Sequence, residues 1–496
     1  MTTISQLIIK ERTQIGTMKA MGLRKGEIYG HYLGITWFLA GLGTLLGEIL
    51  GPIILPGIMA HKYILLYTLP PRAYVFPLLP GILSAVGFLL VASLVTVAVC
   101  YREMRLKPAE SMRPESPSNS LKPKEEKHKG GVYSLSMKMA FRNIRVSPKK
   151  TLMVVIGVMG CTALLVAGFG IEDTLFYDIE HDLSRYHNEE ISLSFESPQT
   201  ESQIVDSLAS IEGIKDLEPI QKGASTFFVE DGPQLQKPIY VFSRLEPMWD
   251  LTFGKDEVAI STKCAKTIGA SLGDTLSFRV DGKNYEAPIG LIFDAFFYNG
   301  IAVHAEADFF SDIPEFRYNG ALVNVQEGYD AVKIDEEFEK LSFITASQRA
   351  IEWEAKLNEI LGSILAMTDA MKAFAILLAV VVLVNLALLN FSERTRDIAT
   401  LKVLGFRQGE IALSLLAETL VLTLGGVLVG LALGFPFLLG VLGTNQVELI
   451  YYIYHMDVSS FVLGFVLTFV VAFVVNLFLS LKVARVKMVE SLKSVE

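Results

Sequence analysis

The chain lacks the charge density of a soluble protein and the cysteines of a disulfide-bonded one. Only 20% of its 496 residues are charged and 51% are hydrophobic, whereas about a quarter of the residues of soluble domains are charged. The three cysteines, Cys100, Cys161 and Cys264, are too few and too scattered to form a disulfide framework. The composition is therefore that of neither an ordinary soluble protein nor a small secreted scaffold.

Signatures of nucleotide-binding and metal-dependent enzymes are also missing. The chain contains no Gly-x4-Gly-Lys-Ser/Thr loop, no His-Glu-x-x-His and no Cys-x-x-Cys, so the sequence gives no basis for an ATP site, a zinc-protease site or a redox pair. We therefore expect no catalytic residues, no metal site and no cofactor. The chain is predicted not to be an enzyme.

What the sequence does have is long hydrophobic blocks. A helix needs about 20 apolar residues to cross a bilayer, and six such blocks in one chain argue against the alternative of buried helices in a soluble core. The blocks cover residues 32–54, 76–100, 152–170, 373–391, 411–435 and 458–480. The sequence predicts an α-helical membrane protein with about six transmembrane helices.

Lysine and arginine residues beside these blocks define an orientation. They cluster before the first block, between the second and third, between the fourth and fifth, and after the sixth, whereas the other connections between blocks hold few. Because basic flanks stay in the cytoplasm, the long segment between the third and fourth blocks is expected outside. The prediction is a multi-pass protein of the cell (plasma or inner) membrane.

The outside segment has the patterns of a mixed α/β domain. Alternating polar and apolar residues predict strands at 191–195, 275–280 and 321–325. Asp281-Gly282 predicts a hairpin from 275–280 to a strand at 284–287. Helical spacing predicts helices over 200–211 and 331–341, and a continuous helix from residue 346 into the fourth block.

A short motif occurs twice, each time just before a hydrophobic block. Glu-Arg-Thr at residues 11–13 and 393–395 is followed by lysine, glycine, arginine, a second glycine and Glu-Ile. The candidate residues of the first copy are Glu11, Arg12, Lys19, Gly22, Arg24 and Glu27. Those of the second copy are Glu393, Arg394, Lys402, Gly405, Arg407, Gly409 and Glu410. Similar endings at residues 108–113 and 488–493 complete two related units.

Each copy predicts a short cytoplasmic helix that ends at a glycine and turns back into the membrane, because glycine accepts the left-handed conformation of a helix end. The copies are either docking sites for a cytoplasmic partner or basic anchors that only fix topology. The duplication favours docking, since two equal elements suit a two-fold partner. The first unit lacks the outside domain of the second, so an upstream segment or another polypeptide is expected to supply it.

Two acidic residues, Glu48 and Glu418, fall within hydrophobic blocks. An acid within a membrane is usually paired or functional. The sequence leaves open whether these two pack against polar partners or conduct ions.

The second copy of the motif, the basic segment 139–151, and the outside stretches 256–261 and 272–276 together resemble the FtsX/MacB-type (type VII) ABC transporter permeases. The resemblance implies a four-helix unit with a large extracytoplasmic domain, and cytoplasmic ABC ATPase subunits that bind ATP and dock at the Glu-Arg-Thr segments. It implies export of a lipid, lipoprotein or peptide. The alternative within the family is a sensor or scaffold for an antimicrobial peptide or a cell-wall hydrolase, without transport.

The expected partners are thus the ATPase subunits and the lipid membrane, with a second permease half or an extracytoplasmic protein or peptide, and no nucleic acid. The predicted domains run in five parts along the chain. They are an incomplete first FtsX-like unit (1–115), a cytoplasmic linker (116–133), an amphipathic entry with the third transmembrane helix (134–172), the extracytoplasmic α/β domain (173–365) and a second FtsX-like unit (366–496).

Overall fold

The structure is a computed structural model that describes residues 8, 11–66, 78–105, 107–108, 137, 141–142, 144–145, 148–186, 188–208, 210–230, 232–280, 282–313, 315–444 and 450–484. Its helices are α1 (Arg12–Ala20), α2 (Lys25–Leu66), α3 (Leu78–Met104), α4 (Pro148–Tyr186), α5 (Glu201–Leu208), α6 (Thr262–Ile268), α7 (Ala331–Phe338), α8 (Ala350–Val403), α9 (Gln408–Thr444) and α10 (Val458–Ala484). The predicted unit endings at 109–113 and 488–493, the linker 116–133 and part of segment 139–151 lie outside the described residues.

The prediction of six membrane-spanning helices is confirmed. Within the described residues, six helices are long and apolar enough to cross a bilayer: α2, α3, α4, α8, α9 and α10. Their exposed side chains are largely Leu, Val, Ile and Phe, as expected for surfaces that face lipid rather than water.

Two compact units make up the chain. The membrane unit comprises Met1–Phe169, Ala366–Phe437 and Val458–Glu496, and the outer domain comprises Gly170–Leu365 and Leu438–Asp457. The outer domain therefore includes the connection between α9 and α10.

A single sheet of nine strands forms the outer domain. The strands are β1 (Ile191–Thr200), β2 (Ile214–Val229), β3 (Leu235–Phe242), β4 (Val258–Ser261), β5 (Thr275–Val280), β6 (Lys283–Phe293), β7 (Ile301–His304), β8 (Arg317–Val325) and β9 (Ile344–Arg349). Their order is β3-β7-β4-β6-β5-β2-β8-β1-β9, and β3 also pairs with β2, so that β2 to β7 close into a barrel. The predicted strands at 191–195, 275–280 and 321–325 are confirmed, as is the β5–β6 hairpin.

The rest of the sheet has a ferredoxin-like arrangement into which the barrel is inserted. The units β1-α5-β2 and β8-α7-β9 give the antiparallel order β2-β8-β1-β9. The β1 side chains alternate as expected, because Ile191, Leu193 and Phe195 are buried beneath α5 and α7. The predicted helices at 200–211 and 331–341 are present but shorter, as α5 and α7.

The predicted continuous helix from residue 346 starts too early. Residues Ile344–Arg349 form β9, which pairs with β1 from Phe195↔Ile344 to Ile191↔Arg349, and α8 begins at Ala350. The physical reason is that β1 has a second edge whose backbone groups need partners. The apolar spacing after residue 350 extends backwards in the sequence and concealed this short strand.

Close helix packing characterises the membrane unit. In α9, a Cβ atom added at Gly426, Gly430 or Gly434 would lie 2.4 to 2.7 Å from a side-chain atom of α4. The glycines are spaced four apart and therefore share one face of α9, so the two helix backbones approach closely, as small residues permit in membranes. Polar contacts join α2 to α3, where Trp37 Nε1 donates to Ser93 Oγ at 2.8 Å.

Candidate functional site

The first copy of the motif folds as a helix, a glycine turn and a second helix. Helix α1 ends at Gly22, whose φ of 88° is left-handed. The N–H of Gly22 donates to Lys19 O, and the N–H of Leu23 donates to Met18 O, both at 3.1 Å. These two bonds define a Schellman motif, which satisfies carbonyl groups at the helix end. We call residues 21–24 the first glycine turn.

The second copy repeats this geometry at residues 404–407, the second glycine turn. Gly405 also has a φ of 88°, and Phe406 N–H donates to Leu401 O at 3.1 Å. Gly405 was predicted to end a cytoplasmic helix segment, and it has the left-handed backbone conformation expected at that position. A β-branched residue would be strained at either glycine, because left-handed φ brings Cβ against the backbone.

The acid that closes each motif caps the following helix. Glu27 Oε2 accepts the Arg24 N–H at 2.8 Å, and Glu410 Oε2 accepts the Arg407 N–H at 3.0 Å. Each acid is the third residue of its helix, the position from which the glutamate of a capping box reaches back. Glu27 and Glu410 therefore fix the shape of the turns, whatever else they contact.

Apolar side chains hold the turns in place. In the first copy, Tyr32 is buried and its hydroxyl donates to Glu11 Oε2 at 3.0 Å. In the second copy, Ile398 and Ile411 are both 2% exposed and pack together. The acid of the first Glu-Arg-Thr segment is thus tied to α2.

The remaining candidate residues are distributed along the same elements. Arg12 and Lys19 lie on α1, and Gly409 lies in the first turn of α9 with no atom near its missing Cβ. Glu393, Arg394 and Lys402 lie on α8, and their side chains are outside the described part of the structure.

Sequence reasoning missed one apolar residue in each turn. Met21 is 68% exposed and Leu404 is 69% exposed, and each immediately precedes the left-handed glycine. The signal was available, since an apolar residue stands before this glycine in both copies. Large apolar side chains held in the open on a rigid turn are suited to insertion into a partner.

The two intramembrane acids have different surroundings. Ser84 Oγ donates to Glu48, and this contact joins α3 to α2. Glu418 lies in α9 and is 5% exposed. The contact of Glu48 with Ser84 favours a packing role for this residue.

A second candidate region is the connection between α9 and α10, residues 450–457, which we call the strap. On one side it contacts helix α6 and the loop after β6. Lys266 Nζ donates to the Tyr451 hydroxyl at 2.6 Å and Lys263 Nζ donates to Ile450 O at 2.8 Å. Tyr451 N–H donates to Phe296 O at 3.1 Å. The contact with the Tyr451 hydroxyl raises the pKa of Lys266.

The other side of the strap is bound to the outer end of α4. Thr174 Oγ1 donates to His455 O at 2.7 Å, and Asp178 Oδ1 accepts the Ile453 N–H at 3.1 Å. The rings of Tyr177 and His455 stack with 4.2 Å between their centroids. The strap is therefore hydrogen-bonded both to α4 and to the barrel, through α6 and the loop after β6.

One enzyme-like spacing occurs at residues 269–273, where Ser271 stands between two glycines. In hydrolases this Gly-x-Ser-x-Gly motif joins a strand to a helix. Here it joins helix α6 to strand β5, and Ser271 N–H donates to Asp274 Oδ2 at 2.8 Å. Gly269 and Gly273 have φ angles of 75° and 90°, so the spacing reflects the shape of this turn.

The part of the chain that the structure describes contains no candidate metal site. No group of three or more His, Cys, Asp or Glu side chains there is arranged to hold an ion.

Comparison with known proteins identifies the membrane regions. The family described as FtsX-like permease C-terminal matches residues 1–108 and 370–488. Each matched segment contains one glycine turn and the helix that follows it. The two membrane regions of the chain therefore match the FtsX-like permeases. The resemblance inferred from the repeated motif is thereby confirmed.

A relative similar to this chain is an uncharacterized ABC transporter permease from Methanocaldococcus jannaschii. The two are 32% identical over 130 residues, which cover 24% of this chain and 32% of the relative. The match thus spans about a third of that relative's length.

Two solved structures similar to this chain are extracytoplasmic domains. The periplasmic region of MacB from Actinobacillus actinomycetemcomitans has a TM-score of 0.27 and 9% identity, over 36% of this chain and 98% of that one. The extracellular domain of the noncanonic ABC-type transporter YknZ from Gram-positive bacteria has a TM-score of 0.24 and 13% identity, over 32% of this chain and 98% of that one.

Proposed function

We propose that this permease converts ATP hydrolysis by separate ATPase subunits into movement of its outer domain, and thereby exports a lipid, lipoprotein or peptide across the cell (plasma or inner) membrane. The observation that carries the proposal is the pair of glycine turns with the same φ, the same capping acid and the same exposed apolar position. The partner subunits bind the ATP, so the chain itself contributes no catalytic residue and no cofactor.

The surface of each turn suits a soluble partner. Met21 and Leu404 project from turns whose backbone is fixed by hydrogen bonds, and the neighbouring Arg24 and Arg407 are exposed. Methionine and arginine are both enriched at protein interfaces relative to the rest of the protein surface. Two such turns suit two copies of an ATPase.

Chain continuity supports coupling between the turns and the outer domain. Helix α9 begins directly after the second glycine turn, and the strap follows it in sequence. A helix of 37 residues is about 55 Å long and resists compression. A displacement of its first turn is therefore transmitted along α9 to residues 438–444, which belong to the outer domain.

The test is a pull-down of the tagged full chain from its native membrane in mild detergent, followed by an ATPase assay of the eluate. We expect the wild-type chain to bring down an ATPase, and we expect Leu404→Asp combined with Met21→Asp to lose it. Leu272→Asp is the matched control, because Leu272 is 65% exposed and lies in the outer domain, away from both turns in the sequence.

An ATPase that still co-purifies with the double aspartate variant would refute the proposed docking surface. A well-folded wild-type preparation with no associated ATPase would favour the alternative function, a membrane-anchored sensor or scaffold without transport.

A further inference from the structure

A polar cavity of about 190 Å³ lies within the outer domain and uses no residue of the strap. Its walls come from β1 and the residues before it, the middle of β2, the end of β9 and the first turn of α8. The side chains that matter for its chemistry are Glu189, Ser192, Lys222, Tyr298, Arg349 and Trp353. The volume equals that of about six water molecules in the liquid, which is room for a small polar solute.

Lys222 brings a positive charge to this cavity. Its Nζ donates to Ser192 Oγ at 3.0 Å. Within the described residues this is the one hydrogen bond of the ammonium group, which has three N–H donors. Burial lowers the pKa of Lys222, and the charge of Glu189 opposes that change. The group is thus desolvated and retains donors for an acidic ligand.

A second cation, Arg349, is held in place on the same wall. Its Nε lies 3.2 Å from Asp335 Oδ2, and its Nη2 contacts Glu352. Two carboxylates therefore hold the guanidinium by ionic contacts at the cavity that Lys222 also lines.

The cavity is also lined by a negatively charged side chain, that of Glu189. Glu189 is 3% exposed and lines the cavity together with the rings of Tyr298 and Trp353. A carboxylate next to aromatic faces is a favourable environment for an ammonium group, because the ring faces also attract cations. One cavity therefore offers sites for both signs of charge.

We propose that this cavity binds a small zwitterion, a molecule that carries an ammonium group and a carboxylate or phosphate a few bonds apart. The acidic group lies at Lys222 and Arg349, and the ammonium lies at Glu189 between the two aromatic rings. A free amino acid or dipeptide and a phosphoethanolamine head group share this chemistry. The inference does not depend on the proposed docking of an ATPase.

Isothermal titration calorimetry on the full chain in phosphatidylglycerol nanodiscs tests the proposal, since that lipid has no ammonium group. The soluble probes are glycylglycine, its single-charge counterparts N-acetylglycine and glycinamide, and glycerophosphoethanolamine. We expect at least one zwitterion to bind tenfold or more tightly than either single-charge probe. Tighter binding of glycylglycine would identify a soluble amino compound, and tighter binding of glycerophosphoethanolamine would identify a lipid head group.

Variants locate the site. Lys222→Met and Glu189→Gln should each weaken binding of the zwitterion at least tenfold. Lys215→Met, an exposed lysine of the same strand, should leave binding unchanged. The proposal is overturned if no zwitterion binds, if a single-charge probe binds equally well, or if folded Lys222→Met binds like the wild type. The comparison of probes on the wild-type chain decides the matter even if a variant does not fold.

Discussion

Replacing Gly430 by alanine tests how α9 packs against α4. The new Cβ would lie 2.6 Å from Thr162 Cβ and 2.8 Å from the carbonyl oxygen of Met159. A side chain could rotate away from such a contact, but Thr162 Cβ is fixed to the backbone and the carbonyl oxygen is part of it. The two helices must therefore separate, and Gly426 and Gly434 on the same face would lose their close contacts as well.

The expected cost follows from the geometry. Overpacking of a well-packed interior typically costs about 1 to 3 kcal/mol. Alanine also favours a helix by about 1 kcal/mol over glycine, which offsets part of this loss. Gly425→Ala is the matched control, because its Cβ would lie 4.0 Å from the nearest atom, on Val155. We expect Gly425→Ala to match or exceed the wild type in stability and Gly430→Ala to fall below it.

Thermal unfolding of the purified full chain in detergent, followed by intrinsic fluorescence, measures this difference. The comparison of two alanine variants five residues apart on one helix removes any general effect of losing a glycine. If Gly430→Ala melted at the same temperature as Gly425→Ala, α9 would not approach α4 as closely as described, and the reasoning would fail.

Three further predictions concern other parts of the molecule. Burial raises the pKa of Glu218 from 4.5 to about 7. Between these values the folded state holds a proton that the unfolded chain has released. The free energy of unfolding should therefore fall by on the order of 3 kcal/mol as pH rises from about 4.5 to 7. Glu218→Gln should flatten this slope in melting temperatures measured from pH 5 to 8. Tyr451→Phe removes the hydroxyl that accepts from Lys266 and should lower the free energy of unfolding by about 1 kcal/mol. Substrate-stimulated ATPase activity of the same variant measures coupling. Glu410→Gln keeps a capping oxygen and should still bring down the ATPase, whereas Glu410→Ala should bring down less.

The sequence predicted features that depend on local signals. Gly405 could be placed at the end of a cytoplasmic helix segment because a left-handed helix end needs glycine, whatever surrounds it. The strand at 191–195 and the hairpin at 275–287 were likewise predictable from alternation and from Asp281-Gly282. The membrane helices followed from length and hydrophobicity alone.

Features that depend on distant pairing were not predictable. Closure of the barrel requires β2 to pair with both β3 and β5, and β2 also pairs with β8 of the ferredoxin-like part. No local pattern specifies those partners. The strand β9 was hidden because its pairing with β1 joins residues about 150 positions apart. The strap was missed for the same reason, since Tyr451 binds Lys266 across 185 residues.

The geometry of the two glycine turns also changes which residues we expect to recognise a partner. The capping bonds of Glu27 and Glu410 use one oxygen of each carboxylate that the repeated motif suggested as a contact point. The two turns have the same shape, and the need to keep that shape is a sufficient reason for an acid at both positions, with or without a partner. Each turn presents an exposed apolar side chain, Met21 or Leu404, beside an exposed arginine, Arg24 or Arg407. Recognition of an ATPase should therefore depend more on these two apolar side chains than on the acids of the motif.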